Sequence, residues 1–300
     1  MTKKLMMARR FIAAGVMTAF MFVGIASVNA QGLEDGLIAY WPFDGDLQDA
    51  VGDSHGTGMG SDDIAYGSGK FGQGIDLDGV DQFVETPLDN EEMFDFQDGT
   101  GFSISAWYKV GEFTKSWQAL IAKGEGNRWR VHRRVGENIL TGNGGNADVP
   151  GGTGDINDGE LHHIVLVSDP ENGEVRLYSD GELVSTGGAP AIQSNENPMM
   201  IGENPDARNR TWSGIIDDVG IWNRPLTEDE IAGLSLIGGS IIIYNAEEGT
   251  VGNQNFNGSL GMDFELSSNL TVTELGVFDS SSDGLALPIT VELWERDADA

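Results

Sequence analysis

The sequence predicts an all-β, antiparallel fold, and three observations carry that expectation. Within residues 158–186, Leu161, His163, Val165 and Val167 alternate with His162, Ile164, Leu166 and Ser168, the period of two that marks a strand with two distinct faces. Asn172-Gly173 and Asp180-Gly181 punctuate the same stretch, and such dipeptides favour two-residue hairpin turns because both members accept positive φ at low cost. Phe102, Ile104, Ala106 and Tyr108 alternate in turn with Ser103, Ser105, Trp107 and Lys109. The expectation is an antiparallel meander flanked by further two-faced strands.

The chain begins with material that is not fold. Lys3, Lys4, Arg9 and Arg10 precede an apolar run over 11–26, and Val28-Asn29-Ala30 offers small or modest side chains for cleavage, so residues 1–30 read as a secretory signal peptide. A membrane anchor would need about 20 strongly apolar residues, whereas Gly15, Thr18 and Gly24 interrupt this run. Arg9-Arg10-Phe11 matches only a fragment of a twin-arginine export signal.

The remaining elements follow in order. Residues 37–43 are strand-like and aromatic, and Asp44-Gly45 turns the chain into a Gly- and Asp-rich loop reaching Gly60. Residues 67–72, GSGKFG, match G-x-G-x-x-G, but no strand–helix context surrounds them, so they read as a glycine turn leading into the strand GIDLDG. After the meander comes a short strand near 197–203 and another over 214–222. Thr227-Glu228-Asp229-Glu230 forms a capping box that predicts one or two helical turns ending before Gly233. Its acids are explained by helix-start chemistry. From residue 237 a second β-rich module begins, with strand-like runs SIIIYNA, LGMDFEL, NLTVTELGVFD and PITVELWE. With only four such runs it reads as an incomplete β-sandwich.

Residues 37–58, 69–87, 102–110, 158–186, 201–205 and 214–231, in that order, resemble the bacterial laminin G-like, concanavalin A-like lectin/glucanase domain. The central motif of that resemblance, DGELHHIV through VRLYSDGELV, departs from it at Leu161, where the family usually has Trp. The resemblance implies a two-sheet jelly-roll sandwich over residues 31–236. It also implies a calcium site on the sandwich rim, where the first and last strands run side by side, with Asp44 and Asp46 brought near Asp217 or Asp218.

Composition limits the chemistry. The formal net charge is −31, with 17 Lys and Arg against 48 Asp and Glu, and loss of the leader would remove only positive charge. Nucleic acid is therefore excluded as a partner, while oxygen ligands for a hard cation are plentiful. With no cysteine, the exported chain has neither disulfides nor a lipidated thiol. The family's glucanases carry E-x-D-x-x-E on one strand, and this sequence has no such pair. Residues 52–56, GDSHG, match G-x-S-x-G inside a loop, without the strand and helix a nucleophile elbow needs. His162 and His163 diverge to opposite faces and cannot share a metal.

Two candidate sites remain. One is the calcium rim, Asp44, Asp46, Asp217 and Asp218, against which stands the reading that these are solvated turn aspartates. The other is the basic stretch 123–134, KGEGNRWRVHRR, where strand geometry would place Arg128, Arg130 and Arg134 on one face beside Trp129. It could grip an anionic polysaccharide, or its arginines could simply neutralise neighbouring acids. Trp41, Trp107 and Trp222 are expected in the core, and Trp117 and Trp212 near loops. The expected function is an exported, non-catalytic binding module for carbohydrate or an extracellular protein, free of the membrane after leader cleavage. A structural or adhesive spacer, or an accessory domain of a larger polysaccharide-degrading enzyme, remain alternatives.

Overall fold

The computed structural model describes residues 33–237, except 98, 146 and 189–191, together with the strands Lys4–Phe11, Gly261–Glu265 and Ile289–Arg296. Two compact units divide the chain, one covering residues 27–239 and the other combining 1–26 with 240–300.

The first unit is the sandwich. Its larger, eight-stranded sheet runs Glu182–Gly188, Glu174–Ser179, His162–Asp169, Phe102–Val110, Ser213–Trp222, Gln73–Asp78 and Ala65–Ser68, with Leu37–Trp41 also pairing to Ser213–Trp222. The six-stranded sheet runs Leu140–Gly144, Trp129–Arg133, Ala119–Ala122, Met200–Ile201, Phe83–Glu85 and Thr57–Met59. Every pairing in both sheets is antiparallel. As expected, the first strand of the domain lies beside the last.

Alternating residues of both sheets meet in one core that includes Trp41, Phe102, Ile104, Trp129, Val131, Leu166 and Ile216. Phe96 stacks on Phe102 at 4.5 Å, and both rings tilt against Trp129. Truncating Trp129 to Ala would cost on the order of 3–5 kcal/mol. Trp212, expected near a loop, is wholly buried in this core, between Tyr108 and Phe113.

The outer face of the large sheet is also covered. Val165, Val167, Tyr178 and Trp222 form a second apolar cluster with Leu226 and Ile231. The helix Glu228–Ile237 supplies that cover and runs through Gly233 rather than ending before it. Packing of Ile231 and Leu234 on the sheet outweighs the roughly 1 kcal/mol helical cost of one glycine. Its start is the expected capping box: the Glu230 amide donates to Thr227 Oγ1 at 3.3 Å, and the Thr227 amide donates to Glu230 Oε2 at 2.8 Å.

The meander forms with one correction. Asp180 and Gly181 both have positive φ, 51° and 84°, and make the tight turn expected of them. Asn172-Gly173 does not form a two-residue loop, because Asp169 pairs with Glu174 across the four residues 170–173. Asp169 explains the longer loop: its carboxylate accepts the backbone and side-chain amides of Asn172, at 3.1 and 2.8 Å.

In the second unit, Lys4–Phe11, expected within a leader and outside the fold, instead pairs antiparallel with both Gly261–Glu265 and Ile289–Arg296. These last two strands coincide with the runs LGMDFEL and PITVELWE. The runs SIIIYNA and NLTVTELGVFD, and the rest of the expected leader beyond Phe11, lie outside the described residues.

Candidate functional site

The rim site is built where the last strand breaks its own pattern. Opposite the Phe102–Val110 strand, Asp217 pairs with Trp107 and Gly220 with Ser105, so a bulge inserts an extra residue there. Asp218 takes φ 47°, a left-handed conformation that Asp tolerates better than most residues. The period of two would send Asp217 and Asp218 to opposite faces; at the bulge the charge of Asp218 bears on Asp217.

Each carboxylate is half satisfied. Oδ2 of Asp217 accepts the Lys70 amide at 2.6 Å and the Phe71 amide at 3.3 Å. The Tyr40 hydroxyl donates to Oδ1 of Asp218. Asp217 Oδ1 and Asp218 Oδ2 are buried without a hydrogen-bond partner. Burial, reinforced by the charge of Asp218, pushes the Asp217 carboxyl up to about 8 despite the opposing pull of the Phe71, Lys70 and Asp218 amides. Burial and the charge of Asp44 likewise lift Asp218 to about 6 against the pull of Tyr40. Burial and Asp218 hold the Tyr40 phenol far above its ordinary value, so it remains a donor.

Asp44 completes the rim, its Oδ1 accepting the Gln73 amide at 2.8 Å. Asp46 is exposed, and its Oδ1 accepts the Gln48 amide at 3.0 Å, which is turn chemistry. The glycine run 67–72 closes the strand Ala65–Ser68, and its residues 69–72 are the hairpin turn into Gln73–Asp78. Its role at the rim was missed from sequence: a Cβ on Gly69 would lie 2.2 Å from Asp217 Oδ2, and one on Gly72 2.0 Å from Asp44 Oδ1. Among the described residues no three His, Asp or Glu side chains stand grouped as a ready-made metal cage.

The basic stretch is dispersed rather than displayed. Trp129 is wholly buried, with its indole N–H donating to the Phe94 carbonyl at 2.7 Å, so it has no face to offer a sugar. Alternation along the strand sends Trp129 and Val131 inward, leaving Arg130 and His132 on the outer side. Arg130 pairs with Glu125 at 2.5 Å and Asp148 at 3.2 Å. Arg128 donates to the Ser194 carbonyl at 3.0 Å, and Arg134 is partly exposed beyond the strand end. Lys123 is buried between Glu91 and Asp95. The arginines therefore do not form one open cationic face.

The aromatic on this outer face is Trp117. It is partly exposed, its ring centre is 5.5 Å from that of His132, and the Arg130 and Arg210 guanidinium carbons lie 5.8 and 5.9 Å from it. Arg210 and Arg130 share Glu125. The sequence signal was there in a loop tryptophan, but Arg210 is 93 positions away and only the fold joins them.

The histidines separate as expected. His163 is buried, 2.8 Å from Ser105 Oγ through Nε2, and burial lowers it to about 3. His162 lies between Asp180 and Asp158, at 2.9 and 3.2 Å. Ser54, in the G-x-S-x-G match, is fully buried, and its amide donates to Asp49.

Comparison with known proteins agrees with this architecture. Domain 4 of the extracellular arabinanase AbnA from Geobacillus stearothermophilus, solved with arabinotriose, superposes with a TM-score of 0.52 at 22% identity, over 66% of this chain and 98% of that one. The binding domain of Paraclostridial Mosquitocidal Protein 1 gives 0.55 at 16% identity, over 68% of this chain and 52% of that one. The binding domain of botulinum neurotoxin serotype C1 gives 0.52 at 16%, over 67% and 52%. The chain thus spans about half the length of these two toxin domains, and all three likenesses concern the fold. No match emerged among curated protein sequences. Among the described residues no helix is long and apolar enough to cross a membrane. Residues 78–232 match the family model of the concanavalin A-like lectin/glucanases superfamily, and the chain belongs to that superfamily.

Proposed function

We propose that this chain is an exported, non-catalytic binding module that recognises carbohydrate, with a calcium ion holding its rim. The observation that carries the cation is the pair of buried, partnerless carboxylate oxygens, Asp217 Oδ1 and Asp218 Oδ2. Two buried carboxylates side by side are costly unless a positive charge joins them. Hard oxygen donors without His or Cys suit calcium better than zinc. Because no three acids are grouped there, the ion would take Asp217 and Asp218, with Asp44 at the margin, and complete its shell from backbone carbonyls and water.

Carbohydrate as the ligand is supported by the sandwich fold, whose solved relatives include a domain in complex with arabinotriose. The non-catalytic reading is supported by the lack of E-x-D-x-x-E on any strand of the sequence. Export is supported by the signal-peptide pattern of residues 1–30, and the amino-terminal mass of the secreted protein checks it. A glycan array probed with the full chain, with calcium and with chelator, tests the function. Calcium-strengthened binding to a defined set of glycans is expected; a blank array in both conditions would leave a structural spacer instead.

A further inference from the structure

Trp117 is held in a conformation that its own backbone disfavours. Its φ is 62°, in the left-handed region that a bulky side chain rarely enters. The surrounding loop imposes it. Arg133 donates to the carbonyls of Lys115, Gly136 and Glu137, at 2.7, 2.6 and 2.7 Å, tying the segment before Trp117 to the one after the strand. The Trp117 amide donates to the Val135 carbonyl at 2.9 Å, and Gln118 is buried, holding the Lys115 amide and the Thr211 carbonyl. A large aromatic is thereby fixed, partly exposed, before any ligand arrives.

Around it the charges cancel. Arg130 and Arg210 meet Glu125, and Asp148 meets Arg130 and His132. Burial keeps His132 below its ordinary value, outweighing its bond to Asp148, so it carries no charge near neutral pH. The two guanidinium groups and two carboxylates at the indole cancel one another on a chain of charge −31. An anionic glycan would find the two guanidinium groups at the indole already matched by carboxylates, Arg133 turned onto backbone carbonyls, and an opposing field beyond. Sugar hydroxyls, which donate and accept at once, match paired guanidinium and carboxylate groups, while the apolar face of a sugar ring matches indole.

Resting on the carbohydrate reading above, we infer that Trp117, Arg130, Arg210, Glu125 and Asp148 form a preorganised platform for a neutral oligosaccharide on the outer face of the six-stranded sheet. The aromatic stacks on a sugar ring and the paired charges hydrogen-bond its hydroxyls. Preorganisation lowers the ordering cost that binding must overcome, which gives the strained backbone a purpose.

The test uses the full chain and an array carrying neutral, uronate and sulfated oligosaccharides, followed by titration of the strongest neutral binder. Neutral oligosaccharides are expected to bind. Trp117→Asn should weaken that binding about tenfold or more while melting no lower than the wild type, because Asn tolerates positive φ. Arg210→Lys, which keeps the charge and loses the planar fork, should weaken it as well. Neutral binding unchanged in Trp117→Asn and Arg210→Lys would overturn the platform and leave the carbohydrate reading intact. Binding confined to uronate or sulfated glycans would overturn the neutral specificity. A blank array would remove the carbohydrate reading and the platform with it.

Discussion

The Tyr40 hydroxyl donates to Asp218 Oδ1, and that bond opposes the burial that lifts the Asp218 carboxyl. Asp218, so stabilised, loses its proton near pH 6, whereas Asp217 beside it holds on to about 8. The rim is thus a place where charge is suppressed by burial and would be released by a cation.

Stability should reflect this. Unfolded, both carboxyls titrate near 4. Folded, they retain protons up to about 6 and about 8, so between pH 4 and 8 the native state binds more protons than the unfolded state. Stability then falls as pH rises through that window. Melting in chelator is expected to show the decline, and calcium to remove it. Asp217→Asn should flatten the slope and, at pH 8, stabilise the chelated protein by up to a few kcal/mol while abolishing the calcium response. A steeper slope in the variant would contradict the assignment.

Gly69 lies against Asp217 Oδ2, where a Cβ has no room. Gly69→Ala is expected to push the carboxylate off the Lys70 and Phe71 amides, lowering the melting midpoint and weakening calcium binding about tenfold or more. Equal calcium affinity in variant and wild type would show that the glycine turn does not shape the rim.

The two adjacent histidines should separate in an NMR titration. For His162, burial alone would lower the pKa, but hydrogen bonds to Asp180 and Asp158 outweigh it and raise it. His163 is expected to stay neutral down to about pH 3. The clamp on His162 contributes stability that is present below its unfolded value of about 6.5 and lost as pH rises through its folded value. His162→Asn should remove that dependence. A His163 resonance shifting near pH 6 would show that its burial is incomplete.

The meander and the capping box were legible because their signals are local: alternation, Asp180-Gly181, and Thr227 three residues before Glu230. The helix outran its expected end because the cover it provides for Val165 and Trp222 is a tertiary demand. Asp44, Asp217 and Asp218 entered through a family resemblance, but the means of their convergence did not. The bulge at Asp218 and the amides of Lys70 and Phe71 leave no trace in hydrophobic period. Trp129 illustrates the opposite failure: beside arginines in sequence it resembles a ligand platform, yet alternation puts it in the core. Trp117, twelve residues earlier, meets those arginines only through the paired strands and the Arg133 clamp.

The account stands most directly on one titration. Calcium added to the chelator-stripped full-length protein and followed by calorimetry should show binding at the rim that is lost in Asp217→Asn. No binding to the wild type, or binding of equal strength in the variant, would contradict it.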